Sequence, residues 1–221
     1  MKIQQFVIIG LGRFGSSLGL QLMEMGYEVL GIDRDEDVVE EMSEHLTHAV
    51  AGDATDEQLL RSIGVRNMDC GIVAIGDDIQ MSILATILLK ELGIKTVVAK
   101  AISKLHGRAL EKLGVDRIVY PERDMGIRVA HQLVTPNLLD YLQLSKDYTI
   151  AELNVPACLN GKTLSELNTR TRFGCSIVAI HTSNGVLIAP TAMDKVHRDD
   201  IMVIIGTNDN IGRFEEEVVN Q

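Results

Sequence analysis

Three glycines, Gly10, Gly12 and Gly15, break the apolar run F-V-I-I-G-L-G-R-F-G at Phe6 to Gly15 with the spacing of a turn that cradles phosphate. Gly10 permits the tight turn, Gly12 lets the backbone approach a phosphate, and Gly15 lets the following helix pack on the strand. Phe14, Leu18, Leu22 and Met25 continue at helical period, so a helix N-terminus points its unpaired N–H groups at an anion. Arg13 lies inside this turn. Its guanidinium suits a di- or triphosphate tail better than a dinucleotide pyrophosphate without excluding the latter, and the alternative is a solvated first-turn arginine. A second apolar run, Glu28 to Ile32, ends in Asp33, where a carboxylate would accept hydrogen bonds from the ribose hydroxyls of an adenosine.

Further groups fall at the ends of later strand patterns. Asp53, in A-G-D-A-T, would border an adenine together with Ala54; the other reading is that Asp53 or Thr55 caps a helix starting near Asp56. Ala74, Ile75 and Gly76 close the fourth pattern, and Gly76 at the topological switch leaves room for a nucleotide. Lys100 ends the fifth and Glu122 follows the sixth. A carboxylate facing phosphates is repulsive unless a cation intervenes, so Glu122 is either a divalent-cation ligand or a helix-start acid favoured by the macrodipole. The six histidines are scattered, and none is joined to an acid in a relay.

Positioning these groups requires alternating strands and helices. Strands are expected at Phe6 to Ile9, Glu28 to Ile32, Thr47 to Val50, Cys70 to Ile75, Thr96 to Ala101 and Ile118 to Tyr120. Helices start at Arg13, span Glu36 to Ser43 and Leu105 to Leu113, and carry Ile79, Ile83 and Ile87 on one stripe. Six strands with crossover helices make an α/β fold, a Rossmann-like doubly wound parallel sheet, over residues 1–120. Residues 121–140 form a connecting helix or hinge, with a helix over Glu122 to Val134 and a break at Thr135-Pro136. Residues 141–221 form a small α+β module: strands at Thr149 to Val155, Ser176 to His181, Val186 to Ala189 and Ile201 to Ile205, short helices near Leu164 to Asn168 and from Asn210, and a hairpin turn at Ser183-Asn184-Gly185.

A formal charge of −10 and the lack of a Lys/Arg cluster argue against nucleic-acid or anionic-lipid binding. Cys70, Cys158 and Cys175 show no CxxC spacing and read as free thiols in a reducing cytosol. Lys2 leads straight into the first strand, so neither an export signal nor a membrane span is expected.

G-L-G-R-F-G, I-D-R-D, V-A-I-G and Y-P-E-R-D-M-G resemble, over the whole chain, the RCK or KTN cytosolic regulatory subunits of bacterial Ktr-type potassium uptake systems. P-E-R-D-M-G is the discriminating motif, because G-x-G-x-x-G is shared by all dinucleotide-binding families. The resemblance implies ATP or ADP, with NAD(H) as another candidate, at Gly10, Gly12, Arg13, Phe14, Gly15, Asp33, Arg34, Asp35, Asp53, Ala54, Ala74, Ile75, Gly76, Lys100, Ala101, Ile102, His106 and Glu122. It implies that Arg13 reaches a terminal phosphate and that Glu122 helps hold Mg²⁺ or Ca²⁺ where two ATP-bound subunits meet. The C-terminal module resembles RCK-C, which implies cyclic di-AMP at a dimer interface through Leu164, Leu167, Asn168, Arg170, Ile177 and Pro190. The function so implied is a non-enzymatic nucleotide sensor, a homodimer assembled into an octameric ring. It would sit in the cytoplasm, peripheral to the inner membrane face, and gate a membrane-embedded potassium channel subunit, with ATP activating, ADP inactivating and cyclic di-AMP inhibiting. The alternatives are an NAD-dependent oxidoreductase and an NAD(H) redox sensor.

Overall fold

A computed structural model describes residues 5–134 and 138–219, and the Thr135-Pro136 break lies outside them. The chain divides into two compact units, Met1–Arg123 and Asp124–Gln221.

In the first unit, β1 (Gln5–Ile9), β2 (Glu28–Asp33), β3 (His48–Ala51), β4 (Cys70–Val73), β5 (Thr96–Lys100) and β6 (Arg117–Val119) form one parallel sheet in the order β3-β2-β1-β4-β5-β6. The order reverses at β1, whose Ile9 lies opposite Ile32 on one side and Val73 on the other. β4 is buried at every position, as expected of a strand covered on both faces. The helices are α1 (Arg13–Glu24), α2 (Glu36–Ser43), α3 (Glu57–Ser62), α4 (Ile79–Glu91) and α5 (Lys104–Lys112), while α6 (Pro121–Val134) starts at the end of this unit. Side-chain caps start several of them: the Asp35 carboxylate accepts from the N–H groups of Asp37 and Val38, and Asp78 accepts from Met81.

The packing of α4 differs from its expected stripe. Its buried face is Ser82, Ala85, Thr86 and Leu89, whereas Ile79 is exposed and Ile83 and Ile87 are only half-buried. Isoleucine spacing identified the helix, but small side chains are what allow a helix to lie close on a core, and Thr86 satisfies its hydroxyl by donating to the Ser82 carbonyl at 2.7 Å.

The second unit is an antiparallel sheet of β7 (Leu138–Gln143), β8 (Tyr148–Asn154), β9 (Ser176–Thr182), β10 (Gly185–Ile188) and β11 (Ile201–Thr207), ordered β10-β9-β11-β8-β7. Its helices are α7 (Leu164–Leu167), α8 (Thr169–Phe173) and α9 (Asn208–Val219). β8 and β11 alternate strictly, sending Ala151, Leu153, Met202 and Ile204 into a core shared with Phe173, Ile211 and Phe214. The Phe173 and Phe214 rings meet edge to face, 5.2 Å apart. β7 starts at Leu138, inside the segment expected to be helix or hinge; D-Y-L-Q lacks a strong apolar run and becomes a strand through pairing with β8.

Candidate functional site

A cleft of about 500 Å³ opens at the carboxyl edge of the parallel sheet, where the strand order reverses. The turn between β1 and α1 forms one wall. Gly10 holds φ +93°, a region that disfavours any side chain, and a Cβ on Gly15 would stand 1.9 Å from the Gly10 carbonyl oxygen. Around Gly12 a Cβ would meet nothing within 4 Å, so the backbone there is open to a ligand.

Asp33 braces the glycine turn. One carboxylate oxygen accepts the Leu11 N–H of the glycine turn at 2.6 Å, and the other accepts the Asp35 N–H at 3.0 Å. These charge-assisted bonds fix the turn to the end of β2 and leave further lone pairs for hydroxyl donors.

Asp53 accepts from the Thr55 hydroxyl at 2.7 Å and the Thr55 N–H at 2.8 Å, and the hydroxyl contact foremost holds its carboxyl below the usual range. Neither Asp53 nor Thr55 caps α3. That role falls to Asp56, which accepts from Gln58 and Leu59 and leaves Asp53 on the cleft wall. Arg34 and Asp77, both lining the cleft, form an exposed 3.0 Å ion pair between the ends of β2 and β4.

At the other end of the cleft, the Lys100 ammonium meets the Glu122 carboxylate at 2.6 Å. The lysine side chain is only 10% exposed and the glutamate 67%. The ammonium also sits 5.9 Å from the centre of the Phe14 ring and 3.0 Å from where a Gly76 Cβ would stand. The Lys100 hydrogen bond chiefly, with a contribution from Arg13, keeps Glu122 ionised below the usual carboxylate range. Two cations and one acid therefore face the space beside the helix N-terminus. Among the described residues no group of three His, Cys, Asp or Glu side chains could hold a metal ion.

Comparison with known proteins matches a TrkA-N domain to residues 6–121 and a TrkA-C domain to residues 149–219. The chain belongs to the TrkA-N/TrkA-C family. It is 46% identical over 217 residues to Ktr system potassium uptake protein C of Bacillus subtilis (strain 168), covering 98% of each chain. The resemblance read from the motifs is thereby borne out. The solved GsuK RCK domain aligns at TM-score 0.68 and 18% identity over 98% of this chain and 48% of that one, which shows the fold alone. The GsuK channel bound to NAD aligns at TM-score 0.54 and 25% identity, over 100% of this chain and 39% of that one.

Within this TrkA-N unit, most residues expected from sequence line the cleft, including Arg13, Phe14, Arg34, Asp35, Ala54, Ala74 and Ile75. Gly15, Ala101, Ile102 and His106 do not. Gly15 serves helix packing, and Ala101 is buried in the sheet core. His106 is buried on α5, its Nδ1 accepting from the Ile102 N–H at 3.5 Å while Nε2 is buried without a partner; burial lowers its pKa and keeps the ring neutral. Sequence reasoning missed Ile9, Ile32, Val38, Gly52 and Met81 as lining residues, and passed over Asp77 and Asp78. Ile9 and Ile32 end adjacent strands, so strand register was the signal that could have found them.

In the TrkA-C unit, Leu167 is buried in the core, Leu164 and Ile177 pack partly against it, and Arg170 is exposed. Asn168 adopts a left-handed conformation between α7 and α8, and Pro190 is half-buried. No helix among the described residues is long and apolar enough to cross a membrane.

Proposed function

We propose that this chain is a non-catalytic nucleotide sensor that gates a membrane potassium channel subunit, with an adenine nucleotide held in the TrkA-N cleft. The observation that carries this reading is the cleft's division of labour. Asp33 and Asp53 lie at the end suited to an adenosine, while Arg13, the open turn at Gly12 and the enclosed Lys100 ammonium lie at the end suited to phosphates. Among the described residues no histidine or cysteine lines that cleft, which supports recognition as its role.

In this reading ATP favours the channel-open arrangement and ADP the closed one, because only ATP carries a third phosphate for Arg13 to answer; a ligand shifts an equilibrium only by its differential contacts. Mg²⁺ or Ca²⁺ enters with oxygens from the nucleotide itself, Glu122 contributing one carboxylate. The working form is a homodimer built into an octameric ring at the cytoplasmic face of the membrane. Cyclic di-AMP binds the TrkA-C unit between two copies through Asn168, Arg170, Pro190 and the exposed edges of Leu164 and Ile177, and inhibits. NAD(H) in the same cleft is the second reading, favoured by the NAD-bound GsuK channel.

Titration calorimetry of the full chain with ATP, ADP and NADH tests this. We expect Arg13→Ala to weaken ATP about tenfold more than ADP, a difference of about 1.4 kcal/mol. Equal losses reduce Arg13 to a general phosphate contact, and preference for NADH over both mononucleotides moves the assignment to the second reading.

A further inference from the structure

The chain contains two Asn-Gly pairs, Asn160-Gly161 and Asn184-Gly185, and the fold treats them in opposite ways. The missing Cβ of the glycine leaves its backbone nitrogen open to the preceding side-chain carbonyl, so each pair is chemically able to cyclise. At Asn160 both reacting groups are held. Its Oδ1 accepts the Arg198 N–H at 2.9 Å, and the Gly161 N–H donates to the Val196 carbonyl at 2.8 Å. The neighbouring Thr163–Lys195 bridge fixes the same segment.

At Asn184 the setting is the exposed two-residue loop of the β9–β10 hairpin. The hydrogen bonds there belong to the backbone and to Thr182: the Asn184 N–H donates to the Thr182 hydroxyl at 3.2 Å, and that hydroxyl donates to the Gly185 carbonyl at 3.0 Å. Gly185 is paired with Thr182 in the ladder, so the two sites differ at the side chain: among the described residues nothing restrains the Asn184 side-chain amide.

We propose that Asn184 is a site of spontaneous deamidation in the folded chain and that Asn160 is protected from it. The Gly185 nitrogen forms a bond to Cγ of Asn184, the bond from Cγ to the side-chain nitrogen breaks, and ammonia leaves carrying the displaced amide proton. Water then opens the cyclic imide at either carbonyl to give aspartate or isoaspartate, with no change of oxidation state. Isoaspartate lengthens the main chain within a two-residue loop whose length fixes the register of the hairpin. The strand so disturbed is β10, a sheet edge that exposes Val186, Leu187 and Ile188, and either product places a new negative charge beside them.

The test is peptide mapping of the full chain after incubation in mildly alkaline buffer, with a denatured sample as control. In the denatured chain the two asparagines should convert at similar rates. In the folded chain the Asn184 peptide should gain one mass unit and an isoaspartyl signal about 30-fold faster than the Asn160 peptide, equivalent to about 2 kcal/mol of extra restraint at Asn160. Asn184→Gln should abolish the fast signal and Asn160→Gln should leave it. Conversion of Asn160 at a matching rate, or an unchanged Asn184 over a period that converts the denatured chain, overturns the proposal.

Discussion

The two units meet the problem of making a binding site in contrasting ways. The TrkA-N unit encloses about 500 Å³ where its strand order reverses, whereas the depression between Leu159, Leu167 and Phe214 in the TrkA-C unit holds about 40 Å³. In the parallel sheet the helices leave on both faces at the reversal, and a crevice follows from topology. In the antiparallel sheet α7, α8 and α9 carry core residues, and Phe173, Ile211 and Phe214 fill the space a small molecule would need. The first unit thus forms a cleft of nucleotide size from one chain, while the depression on the second is far smaller.

Three substitutions bear on this contrast. Gly15→Ala should have the largest effect, because its Cβ would stand 1.9 Å from the Gly10 carbonyl oxygen and the backbone must move. We expect a loss of roughly 4 kcal/mol or more in the first unit with no change in the second. Calorimetry should show the transition of the first unit lowered or lost and that of the second kept; a uniform shift of both means that the units do not unfold independently.

Asp33→Ala should come next, lowering adenine-nucleotide affinity by about 100-fold, or about 2.7 kcal/mol, through the ribose acceptor and the untied Leu11 N–H. Unchanged affinity in titration would remove the ribose from this end of the cleft.

Glu215→Gln acts on the second unit alone and has the smallest effect. One oxygen of Glu215 is buried without a partner, and burial pushes its pKa up to about 7 from 4.5. An acid whose folded pKa is raised stabilises fully below its unfolded value and loses that contribution as pH rises through the folded one. Stability of the second unit should therefore fall as pH rises from about 4.5 to about 7, by on the order of 1 to 2 kcal/mol after allowance for the half-exposed side chain. The variant should flatten that slope, and a slope that persists places the titration elsewhere.

Much of the first unit was legible because its signals are local. The glycine turn and the apolar strands each state their role within a few residues, and α2 fell on the expected span of Glu36 to Ser43. What was not legible depended on partners distant in sequence. The Leu11–Asp33 bond joins two turns, β7 is a strand only beside β8, and the buried face of α4 was set by what it packs on. The hairpin at Asn184 was legible from its turn residues, while the protection of Asn160 by Arg198 was not.

The Asp33 brace on the glycine turn has a kinetic consequence. A loop already tied in its receiving shape needs no folding step when a nucleotide arrives, so the encounter rate should be nearly the same for every adenine nucleotide that fits. Discrimination then rests on residence time. On the proposed reading, when one nucleotide replaces another the state of the protein would change no faster than the departing molecule leaves, and contacts of Arg13 and Lys100 would set how long the earlier signal persists.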